Sequence, residues 1–105
     1  MNVQDYIKSR AQLPAKSIQH TIALLEADAT IPFISRYRKE ATGNLDEVAV
    51  EKIALLLNSF NELEKRKAAV LKAIKTQNEL TEALAEKIDK ANTLTEVEDF
   101  YLPFK

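Results

Sequence analysis

Apolar residues recur along this chain at intervals of three and four, the period of helices that bury one face. Val3, Tyr6, Ile7 and Ala11 mark a first helix, with Asn2 as its cap and Asp5 in its first turn, interrupted at Leu13-Pro14. A second helix, with Pro14 in its first turn, carries Ile18, Ile22, Leu25 and Ala29, and the polar run Ala27-Asp28-Ala29-Thr30 ends it. Thr30 is the predicted cap of a third helix over 31–40 that holds Pro32 in its first turn and stops near Gly43. Asn44 with Glu47 has the form of a capping box and opens the longest element, from Leu45 to about Lys75. Thr81 caps a fifth helix bearing Leu84, Ile88 and Ala91, and Thr95 with Glu98 opens a short sixth that Pro103 ends.

Within the long element Ala49, Ile53, Leu56, Phe60, Leu63, Lys67, Val70 and Ile74 alternate spacings of four and three, a heptad seam broken only by Lys67. About 30 helical residues span roughly 45 Å, long for a chain of this size. Two arrangements fit: a helical hairpin in which the next helix covers the seam, or self-association as a coiled coil. The pattern predicts an all-α fold of about six helices. Short N-terminal helices cluster on the long central helix, which forms an antiparallel hairpin with the helix that follows.

Composition sharpens this reading. The 105 residues match the size of one small domain, and a 46% hydrophobic, 30% charged chain of net charge -1 is ordinary globular material. One glycine and three prolines supply too few turn-formers for a sandwich or barrel. The absence of cysteine excludes disulfides, thiolate metal sites and cysteine nucleophiles, and Gly43 alone cannot form a phosphate-binding glycine loop. The longest apolar run, Ile53 to Leu57, falls far short of the ~20 residues that span a bilayer, and the start lacks a signal-peptide layout. A cytoplasmic protein with no membrane, metal or cofactor partner is expected.

Charge is uneven. Residues 36–75 hold nine basic and six acidic side chains, while residues 76–105 hold three and seven. The cationic segment that stands out is Arg36-Tyr37-Arg38-Lys39, which groups three cations around a tyrosine. Guanidinium groups grip phosphate and a tyrosine stacks on bases, so a nucleic-acid contact is chemically reasonable. The same arginines could equally brace helices against Asp46, Glu47 or the acidic last third. Lys65-Arg66-Lys67 forms a second cluster, where pairing with Glu62 and Glu64 competes with a phosphate track. His20, off the apolar stripe, is predicted to be a partly exposed helix residue, and the acidic pairs to be surface or capping groups. No residue set meets the needs of catalysis.

The stretch Ala29-Thr30-Ile31-Pro32-Phe33-Ile34-Ser35-Arg36-Tyr37-Arg38-Lys39-Glu40-Ala41-Thr42-Gly43, followed by Leu45-Asp46-Glu47, resembles a signature near the N-terminus of the bacterial Tex proteins, the transcription accessory factors. Glu98-Asp99-Phe100-Tyr101-Leu102-Pro103-Phe104-Lys105 is similar to that family's Glu-Asp-Leu-Tyr-Leu-Pro-Tyr-Lys segment. Leu63, Arg66 and Lys67 fall on its Leu-x-x-Arg-Lys run. Asp28 and Asn44 stand where the family usually has glycine, and both residue types tolerate positive φ better than most. Ser35, Phe100 and Phe104 are mild departures.

The resemblance implies an N-terminal helical region of a longer protein that continues into RNase H-like, helix-hairpin-helix and OB-fold RNA-binding domains and is related to elongation factors of the Spt class. It implies a scaffold that is non-catalytic by itself; a monomeric chain is expected. Its partners would be RNA or DNA, bound mainly through the other domains, and the transcription machinery. The rival expectation is a protein-interaction module that docks a partner helix on the long amphipathic helix.

Overall fold

Side-chain caps and left-handed stops divide the chain into its elements. The computed structural model describes residues 2–105 and contains helices α1 Val3–Ala11, α2 Ala15–Glu26, α3 Ile31–Tyr37, α4 Lys39–Thr42, α5 Glu47–Thr76, α6 Glu82–Lys90 and α7 Leu94–Tyr101. A 3-10 turn over Leu102–Phe104 follows, and no strand occurs among the described residues. The fold is all-α, with one long central helix.

Three predicted caps form as expected: Asn2 Oδ1 accepts the Asp5 amide at 2.8 Å, Thr30 Oγ1 the Phe33 amide at 3.2 Å, and Thr81 Oγ1 the Leu84 amide at 3.1 Å. Two differ. Asn44 sits at φ 67, outside the extended region an N-cap needs, and Asp46 caps α5 instead by accepting the Ala49 amide at 2.8 Å. At α7 both Thr93-x-x-Glu96 and Thr95-x-x-Glu98 fit the box. Thr93, at φ -139 and ψ 155, is the cap: it accepts the Glu96 amide and donates to the Glu96 carboxylate, both at 3.1 Å. Pro14 precedes α2 as its N-cap rather than lying inside the first turn.

Helix ends explain how a chain with one glycine turns so often. Gln12, Asp28, Gly43, Asn44 and Asn78 all have positive φ, between 48 and 72°. At Asp28 and Asn78 the stops are complete Schellman motifs, with Ala29 N–H bonded to Leu24 C=O and Glu79 N–H to Ile74 C=O. Gly43 is needed where it stands, because a Cβ at its φ of 72° would lie 3.0 Å from Ser17 Oγ. The predicted third helix is divided: Arg38, at φ -125 and ψ 35, separates α3 from α4. That break makes seven helices of the expected six.

Two compact units share α5. In residues 2–60, α2 packs on α1, α3 and α4 around Ile7, Ile18, Ile34, Val50 and Ile53, all fully buried. Tyr6 meets Phe60 edge to face at 5.3 Å between ring centroids. In residues 61–105, Val70, Ile74, Ile88 and Val97 are fully buried. There Lys67 bonds Asp89 while a short turn joins Thr76 to Glu82, so α6 runs back along α5 as the predicted antiparallel hairpin. Glu98 meets Arg66 and the Phe104 carbonyl meets Gln77, so α7 and the 3-10 turn run parallel to that half of α5.

The seam is consumed within the chain: Ile53, Leu63, Lys67, Val70 and Ile74 are buried, and Ala49, Leu56 and Phe60 half-buried. Lys67 interrupts it for a local reason. Its ammonium donates to the Asp89 carbonyl at 2.7 Å and lies 3.4 Å from Glu64 Oε1. Asp89 is the penultimate residue of α6, so a cation reaches one of the carbonyls that a helix C-terminus leaves unsatisfied.

Candidate nucleic-acid interface

The first cationic cluster is arranged by the burial pattern of α3. Ile34 and Ser35 point inward, and the Ser35 hydroxyl turns back onto the Ile31 carbonyl at 2.9 Å. On a helix this puts Phe33, Arg36 and Tyr37, three and four residues apart, together on the outer face. Phe33 is 45% and Tyr37 69% exposed, and their ring centroids lie 5.7 Å apart at an interplanar angle of 41°.

Arg36 and Lys39 are exposed, and neither is paired with a carboxylate among the described residues. Arg38 differs: its Nε donates to Glu40 Oε1 at 2.8 Å, and this hydrogen bond holds the Glu40 carboxyl below the usual carboxylate range. The bracing partner of Arg38 is thus two residues away, not Asp46 or Glu47. His20 Nδ1 lies 2.7 Å from the Ala41 carbonyl, which can only accept, so Nδ1 carries the proton. His20, Ala23, Leu24, Arg38, Glu40 and Ala41 line a shallow open groove there.

The second cluster is largely committed to its own unit. Arg66 Nε and Nη2 donate to the two Glu98 oxygens at 2.5 and 3.1 Å, a bidentate pair between α5 and α7. Lys105 Nζ reaches Glu98 Oε2 at 3.4 Å, and both cations lie 5.5 Å from the centroid of the Tyr101 ring. The Arg66 hydrogen bond, with a smaller contribution from Lys105, lowers the Glu98 pKa, and the same bond raises that of Arg66. Lys67 is buried, so of this cluster only Lys65 is a free surface cation.

Of the seven residues singled out from the sequence, the structure therefore presents Arg36, Tyr37, Lys39 and Lys65 to solvent, pairs Arg38 and Arg66, and buries Lys67. Phe33 was missed although its four-residue offset from Tyr37 was legible. Glu98 and Tyr101 as partners of Arg66 were not, since they lie more than 30 residues away in sequence. Among the described residues no cluster of three or more His, Asp or Glu side chains is arranged to hold a metal ion, and no helix is long and apolar enough to cross a membrane.

Residues 1–75 match the family model described as the Tex-like protein N-terminal domain. The Neisseria gonorrhoeae protein named Transcriptional accessory protein Tex is 43% identical over 105 residues, which cover all of this chain and 14% of that protein. Protein YhgF of Escherichia coli is 40% identical over 99 residues, 94% of this chain and 13% of that protein. The S1 RNA-binding domain-containing protein 1 of Homo sapiens is 32% identical over 84 residues, 80% of this chain and 8% of that protein. The chain thus spans 14% or less of the length of these relatives. A family model that takes in residues 1–75 and relatives of 40–43% identity matched along nearly the whole chain together establish that this chain belongs to the Tex family.

Proposed function

We propose that this chain serves as the N-terminal helical scaffold of a longer Tex-like transcription accessory protein. It is non-catalytic in itself, and the longer protein binds nucleic acid mainly through parts outside this chain. The S1 RNA-binding domain in the name of the human relative supports that division of labour. To it the chain adds a basic contact of its own. The observation that carries this contact is the outer face of α3 and the start of α4, where Arg36 and Lys39 stand beside an exposed tyrosine without carboxylate partners among the described residues. Lys65 is a separate, weaker contact.

Arg38 and Arg66 would have to leave Glu40 and Glu98 to reach a phosphate, and Lys67 would have to leave the core, so these three stay structural in this reading. Docking of a partner helix on the seam of α5 is disfavoured for the same reason, since the chain's own side chains already cover it. The test is fluorescence anisotropy of a labelled RNA oligonucleotide at low salt. The intact chain should bind, and a variant carrying Arg36→Glu and Lys39→Glu should bind at least about tenfold more weakly. Undetectable binding by the intact chain sinks the contact.

A further inference from the structure

The outer face of α3 carries more than charge. Phe33 and Tyr37 are large aromatic side chains left 45% and 69% exposed on a helix that buries Ile34 fully, and their rings pack against each other. Two rings one helical turn apart, 5.7 Å between centroids and tilted by 41°, form one continuous aromatic surface. Arg36 lies on the same face, three residues from Phe33, and Lys39 follows at the next helix start.

We propose that Phe33 and Tyr37 form a base-stacking surface, so that this face takes unpaired nucleotides of a single strand, RNA or DNA alike, in preference to a duplex. The inference rests on the nucleic-acid reading of the α3 face and adds its ligand class. In a duplex each base face is already occupied by its neighbours, so the rings have nothing to stack on and only the cations contribute. A single strand offers exposed base faces to the rings and phosphates to Arg36 and Lys39. Stacking reads any base, because every base has a π-face, so sequence preference should be slight. The charge decides for nucleic acid over a protein partner: two unpaired cations at the margin of an aromatic patch complement a polyanion.

The experiment measures the affinity of the 105-residue chain for a single-stranded 12-mer, the corresponding duplex and inorganic polyphosphate, which offers charge without bases. Expected is single-strand binding clearly tighter than duplex or polyphosphate binding. It should weaken at least about fivefold for each ring removed by Phe33→Leu or Tyr37→Leu, while the residual duplex affinity stays unchanged. Circular dichroism checks that the variants stay helical. A second readout needs no destabilising change: of the three tyrosines Tyr6 is buried and Tyr101 half-buried, so quenching of tyrosine emission on binding should report Tyr37 and vanish in Tyr37→Phe while affinity is kept. Equal affinity for all three probes, unmoved by the leucine variants and without quenching, would overturn the stacking proposal while leaving the phosphate contact standing. No binding of any probe at low salt would overturn both and leave the aromatic pair as a protein-docking patch.

Discussion

Lys67 shows how one residue can be conspicuous in a sequence and still hide its role. Its position on an otherwise apolar seam was plain, but its partner, the backbone carbonyl of Asp89, carries no side-chain signature and lies 22 residues away. Replacing Lys67 by Met keeps most of the buried volume and leaves that carbonyl unsatisfied. The cost should be about 1–3 kcal/mol in a urea melt. A loss near zero would mean that the apolar stem, not the ammonium, is what the site uses. Asp28 and Asn44 were easier to read, because a short polar side chain in place of glycine marks a left-handed residue, and both have φ 67.

Among the elements, start signals were legible and their exact residue was not. Two overlapping Thr-x-x-Glu boxes compete at α7, and only the tertiary use of Glu98 by Arg66 separates them. Thr93→Ala should therefore destabilise the fold by about 0.5–2 kcal/mol, whereas Thr95→Ala, which removes no cap, should cost only a few tenths, as thermal melts of the two variants would show. Equal losses would place the cap wrongly. The break at Arg38 had no local sign. No glycine or proline stands there, and neither a side-chain cap nor any other feature of the structure accounts for it.

For the molecule as a whole, the acidic last third is used first within its own unit, where Glu98 gathers Arg66 and Lys105. Because the folded state lowers the Glu98 pKa, its contribution is present above the ordinary carboxylate pKa and is lost as pH falls through the lowered value. Glu98→Gln should thus be less stable than the parent chain at pH 7, with the difference closing in urea midpoints as pH falls through and below the ordinary carboxylate range. A constant difference across that range would mean that packing, not charge, is lost. The all-helical class and the central hairpin were readable because they follow from period and length. The division of the cations was not, since it depends on which carboxylates the fold brings near. Arg36 and Lys39 are exposed on one face with Tyr37 and have no carboxylate partner among the described residues, and the nucleic-acid reading stands on them. Its most direct test is the salt dependence of affinity for a single-stranded oligonucleotide. The Arg36 and Lys39 phosphate contacts contribute about -1.4 to the slope of log K on log salt, to which Lys65 adds, and the slope should flatten in the Arg36→Glu, Lys39→Glu variant. A flat line for the intact chain, or an unchanged slope in the variant, would contradict it.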